Sequence, residues 1–135
     1  MDIVESARVM TGIPFRHQGR TFSGVDCVGL IVLTLRSLGI TSHDCTSYGR
    51  RPDGVAFMRE FYAAGAKRVR VCDRMPGHLI VVPETRRPCH IGVLTERGGI
   101  IHAHAPDRCV VETGLPADWL MKAHACLAWP EVDYG

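Results

Sequence analysis

The chain has 135 residues, of which 46% are hydrophobic and 22% charged, with a net charge of +2. That length holds one ordinary domain with a core of its own, so residues 1–135 are read as a single unit, and the small charge excludes an electrostatic case for nucleic acid. The opening Met-Asp-Ile-Val-Glu has neither a basic nor an apolar segment, and the one long apolar run is broken by Thr34 and Arg36, so neither a signal peptide nor a membrane span is expected.

In chain order, Ile3, Val4 and Ala7 form a helical stripe over residues 2–10 that Gly12-Ile13-Pro14 ends. A polar loop, "RHQGRTFSG", leads to Cys27. Cys27, Leu30, Ile31, Thr34, Leu35 and Leu38 then recur on one face of a helix closed by Gly39, and "PDGVAFMREFYAAG" predicts another, starting at Pro52 or Asp53. After Gly65 the pattern turns to strands: "RVRVC", "HLIVV", "HIGVLT", "GIIHAHA", "CVVE" and "ACLAW", with "PADWLM" a turn or helix before the last. Helices first and an antiparallel sheet afterwards imply an α+β fold.

Cys27 is the first candidate for chemistry. With Asp26 as N-cap it lies in the first turn of its helix, where unpaired backbone N–H groups and the positive end of the helix dipole stabilise a thiolate. The same N–H groups, that of Cys27 foremost, suit an oxyanion. His90 and His102 stand equally far from Glu96, so a hairpin turn centred there sets them opposite one another on one face, as a base and the group that orients it. A turn centred between Gly98 and Gly99 would instead send them to opposite faces. Each piece has a plainer reading, since a cysteine at a helix start or a strand histidine is more often packing than catalysis. His104 is read as a rim residue, and His17, His43, His78 and His124 as unassigned surface residues. The six cysteines include no C-x-x-C pair and are expected to be reduced, most of them small core residues. A metal module from Cys72, Cys89, His90 and Cys109 has no helpful spacing behind it, and neither metal nor organic cofactor is expected.

The stretch "GIPFRHQGRTFSGVDCVGL", followed by "PGHLIVV", "HIGVL" and "IIHAHA", resembles the NlpC-type cysteine peptidases of cell-wall peptidoglycan, and its "PFRHQ" wording is most similar to the branch found in phage tails and gene transfer agents. The resemblance implies a papain-like (NlpC-type) core in which the nucleophile helix packs on an antiparallel sheet. It also implies Cys27 as nucleophile in the D-C-x-G signature, His90 as base in H-x-G, and His102 as the polar third residue. Many members carry tyrosine where this chain has Phe15, and G-D-L where it has Gly77-His78-Leu79.

The activity so implied is hydrolysis of stem-peptide amide bonds, commonly between D-glutamate and the following diamino acid, with peptidoglycan and a tail hub or baseplate protein as partners. The expected place is a virion tail tip, assembled in the host cytoplasm and acting at the wall without inserting into a membrane. The alternative is a structural plug or adaptor with weak or no hydrolysis.

Overall fold

The local signals act first at the two helices that open the chain. In the computed structural model, which describes residues 2–40, 54–84 and 87–135, Asp2 caps helix α1 (Ile3–Val9) in a reciprocal box, its carboxylate accepting from Glu5 N at 2.8 Å while Glu5 accepts from Asp2 N at 3.1 Å. The loop read from "RHQGRTFSG" contains a small hairpin, β1 (Arg20–Thr21) and β2 (Gly24–Val25), whose two-residue strands are too short to show alternation. Helix α2 (Cys27–Ser37) starts where its periodicity starts, and α3 (Gly54–Ala63) follows. The expected start of α3 at Pro52 or Asp53 lies outside the described residues.

The second half is the expected antiparallel sheet. Strands β3 (Lys67–Val69), β4 (Leu79–Glu84), β5 (Arg87–Leu94), β6 (Gly99–His104), β7 (Cys109–Gly114) and β8 (Ala125–Ala128), with helix α4 (Ala117–Lys122) before β8, form a sheet of order β3-β8-β4-β5-β6-β7. The "RVRVC" strand is shorter than its alternation predicts, because the chain turns into a 3-10 segment at Val71–Asp73.

Alternate residues of this sheet face two different coverings. Leu79, Val81, Cys89, Ile91, Val93, Ile101, Ala103 and Leu127 pack with Leu30, Ile31 and Leu35 of α2 and with α1 and α3, forming the main core. Ile80, Val82, Leu94, Ile100 and Cys126 point the other way, under Trp119 and Leu120 of α4. Burial between these layers, at about 25 cal/mol per Å² of apolar surface, is the chief force holding the sheet to its helices.

The β5–β6 register is Val93 opposite Ile101 and Leu94 opposite Ile100, which centres the turn on Arg97 rather than Glu96. The Thr95 hydroxyl sets this turn by accepting from Arg97 N at 3.3 Å and Gly99 N at 3.1 Å. A turn centred on a residue, whether Glu96 or Arg97, keeps hairpin residues an even number apart on one face. The shift of one position at the centre therefore still leaves His90 and His102 on the same face.

Candidate active site

Cys27 is the first residue of α2 and is buried. The Asp26 carboxylate, also buried, does more than cap the helix. One oxygen accepts from Gly29 N at 2.8 Å and from Arg20 Nη1 at 3.1 Å, and the other accepts from Gln18 N at 2.8 Å. A single side chain thereby ties the start of α2 to the loop before it. Gly29 is required by the same packing, because a Cβ there would lie 2.0 Å from the Gly19 carbonyl oxygen. The D-C-V-G run is thus a closely packed junction, with backbone N–H groups of the first turn beside the Cys27 thiol.

The position of this junction along the sheet follows from the preceding loop. Val25 N donates to Pro14 O at 2.9 Å, Phe15 N donates to Arg108 O at 2.8 Å, and Pro14 bridges Cys109. Those contacts hold the start of α2 at the end of the sheet where β6 finishes and β7 begins, the end that also carries His90.

The two histidines meet. His90 Nε2 lies 2.7 Å from His102 Nδ1, with both side chains almost wholly buried at 1% and 2% exposure. His102 Nε2 continues the chain to Thr113 Oγ1 at 3.2 Å, on the neighbouring strand β7. His104 lies against His102 with ring centroids 4.7 Å apart, and its Nδ1 is 2.8 Å from Asp107 Oδ2. Trp119 closes the group from α4, its ring centroid 5.5 Å from His90, 5.5 Å from His102 and 6.1 Å from His104. Burial, assisted by the neighbouring His104, lowers the His102 pKa from 6.5 to about 4, with Asp107 opposing the shift. His102 is therefore a neutral ring near pH 7, able to present a lone pair on one nitrogen and a proton on the other.

Placement of the remaining candidates corrects parts of the sequence reading. His78 is buried rather than on the surface: its Nδ1 accepts from Met75 N at 3.1 Å, its ring meets Tyr134 edge-on, and desolvation lowers its pKa. His104 sits at the half-exposed edge of the cluster, as a rim residue should, while His124 is exposed and His17 intermediate. Cys89 and Cys126 are buried with Cys27, Cys109 is intermediate and Cys72 exposed; Cys45 and His43 lie outside the described residues. Cys89 belongs to the helix-facing core, so its side chain and that of His90 leave β5 on opposite sides and cannot close on one metal ion. Among the described residues no three histidine, cysteine or acidic side chains cluster as a metal site. Sequence reasoning missed Thr113 and Trp119, which reach the histidines only through strand pairing and the docking of α4.

Comparison with known proteins adds to this geometry. The model of the NlpC/P60 family matches residues 12–126. No curated protein matches the chain. Among solved structures, the NlpC/p60 domain of the peptidoglycan hydrolase SagA is 21% identical, with a TM-score of 0.64 over 93% of this chain and 95% of that one. An NlpC/P60 family protein from Bacillus cereus is 20% identical, with a TM-score of 0.68 over 98% of this chain but only 39% of the longer protein. RipD from Mycobacterium tuberculosis, described as a non-catalytic NlpC/p60 domain protein adapted to peptidoglycan binding, is 15% identical, with a TM-score of 0.62 over 96% of this chain and 98% of that one.

Proposed function

The chain belongs to the NlpC/P60 family, and from that premise we propose that it is a cysteine endopeptidase acting on peptidoglycan stem peptides. One observation carries the reading: the buried His90–His102 pair is joined at 2.7 Å through His90 Nε2, and Nδ1 of His90 is taken as the atom that serves the Cys27 thiol. In this reading His90 takes the thiol proton, and the Cys27 sulfur attacks the amide carbonyl of the stem peptide. Negative charge on the carbonyl oxygen is met by the backbone N–H of Cys27 at the positive end of α2. The C–N bond then breaks, the leaving amine takes the proton from His90, and a thioester remains on Cys27. Water, giving a proton to His90, attacks the thioester, and its collapse returns that proton to the Cys27 sulfur.

The bond favoured is that between D-glutamate and the following diamino acid, following the family resemblance at the D-C-x-G and H-x-G signatures. The "PFRHQ" wording further favours a tail-tip component of a phage or gene transfer agent, seated on a hub or baseplate protein and opening the wall locally. Digestion of purified peptidoglycan, with fragment masses measured, tests the chemistry: wild-type protein should release stem-peptide fragments and Cys27→Ala should release none. Stoichiometric detection of the chain in purified particles is expected for the tail assignment, and reproducible absence would refute it.

The second reading, a wall-binding or structural plug without hydrolysis, is favoured by the likeness to RipD, since the same fold persists there in a protein described as non-catalytic. Peptidoglycan that binds the protein but is returned intact would select it.

A further inference from the structure

A neutral imidazole carries one proton, and this makes the far side of His102 matter. For His90 to receive a proton on Nδ1, its own must already be on Nε2, the nitrogen 2.7 Å from His102 Nδ1. His102 Nδ1 must then be bare, and the His102 proton must sit on Nε2, aimed at Thr113 Oγ1 3.2 Å away. Reversing the direction at Thr113, so that its hydroxyl donates to His102, reverses the whole row and puts a proton on His90 Nδ1, where the thiol needs a lone pair. Thr113 is on the exposed side of the group, so its own O–H can turn to water while its oxygen accepts from His102.

The same row is sensitive to water at its middle. His102 accepts from His90 only while His102 is neutral. It is faced by His90 from β5, by His104 on its own strand with Asp107 behind it, by Thr113 from β7 and by Trp119 from α4. Of these, Trp119 alone is a large apolar surface, perpendicular to the His102 ring at 90° and half-buried itself, with one part of the indole against the rings and another open to solvent.

We propose that Thr113 and Trp119 are positioning residues acting through His102: the Thr113 hydroxyl oxygen accepts the proton on His102 Nε2, and the Trp119 indole keeps water from the His90–His102 hydrogen bond. The assignment rests on the reading of Cys27, His90 and His102 as the reacting set. It deepens that reading by naming what selects the working tautomer.

Nitrogen NMR of histidine-labelled protein reads this directly, without peptidoglycan. Wild-type His102 should show a single tautomer protonated on Nε2 and remain neutral well below pH 6. Thr113→Val should mix the tautomers and lower kcat about five-fold, the worth of one hydrogen bond, at unchanged KM, with Thr113→Ser restoring both. Trp119→Ala should bring the His102 titration up toward that of an ordinary histidine and raise the acid limb of the kcat profile with it, whereas Trp119→Phe should keep both low. An unchanged His102 tautomer in Thr113→Val, or a His102 that titrates as wild type in Trp119→Ala, would overturn the proposal. Wild-type protein inert toward peptidoglycan would overturn the hydrolase reading and with it this one, whereas an active protein whose His102 tautomer and titration ignore both substitutions would overturn this one alone.

Discussion

The two faces of the β5–β6 hairpin are written in alternate residues of the same strands, yet they are built by different rules. On the helix side Cys89, Ile91, Val93, Ile101 and Ala103 make a dry apolar layer under α2. On the other side His90 and His102 form a buried polar pair, edged by His104 and capped by Trp119. The apolar face lowers the free energy of the folded state by excluding water. The polar face shares in that only through Leu94 and Ile100, and its imidazoles lose hydration that hydrogen bonds with one another, Thr113 and Asp107 replace. A strand that carries both can place reactive groups on a rigid support because its reverse side is fixed by packing.

Substitutions on each face should therefore break different properties. The largest effect is expected from His90→Ala, which removes the proposed proton acceptor and should lower turnover on peptidoglycan by roughly 10²–10⁴-fold while the protein still folds. His102→Ala should cost less and leave a measurable remainder, since it removes orientation but not the base. Equal and negligible losses in the two variants would contradict the division of roles. On the reverse face Ile91→Ala should do the opposite, costing about 2–5 kcal/mol of stability in denaturant melts through the cavity it opens, with turnover per folded molecule unchanged.

A smaller effect, in pH dependence, sharpens the contrast. The folded-state pKa of His102 is lowered to about 4, so as pH falls below about 6.5 the unfolded chain takes up a proton that the folded one refuses. Stability should be whole above that pH and decline toward pH 4, by at most about 1.4 kcal/mol per unit for this group. His78, also lowered by burial, acts in the same direction. Replacing His102 by Gln, which does not titrate, should flatten part of this decline.

Much of the arrangement was legible in the sequence because it is local. The D-C pair before an apolar 3.6-residue period marks the start of α2, and the spacing of 12 residues keeps His90 and His102 on one face because the turn centres on a residue rather than between two. The turn centres one residue beyond Glu96 because Thr95, not the symmetry of the two histidines, sets it. His78 reads as a surface residue only while the turn from Met75 and the packing of Tyr134 are unknown. Thr113 and Trp119 carried no signal, since neither lies near a histidine in sequence and each arrives through a tertiary pairing.

The central claim is the proposal that Cys27 is a thiolate nucleophile served by His90, and pH-resolved alkylation of the native protein tests it most directly. Cys126, buried with its pKa pushed up to about 11, is the internal standard for an inert thiol. With iodoacetamide at mildly acidic pH, Cys27 should be the first cysteine modified, and His90→Ala should abolish that preference. Faster modification of Cys45, Cys72 or Cys89, or a Cys27 rate indifferent to His90, would contradict the assignment.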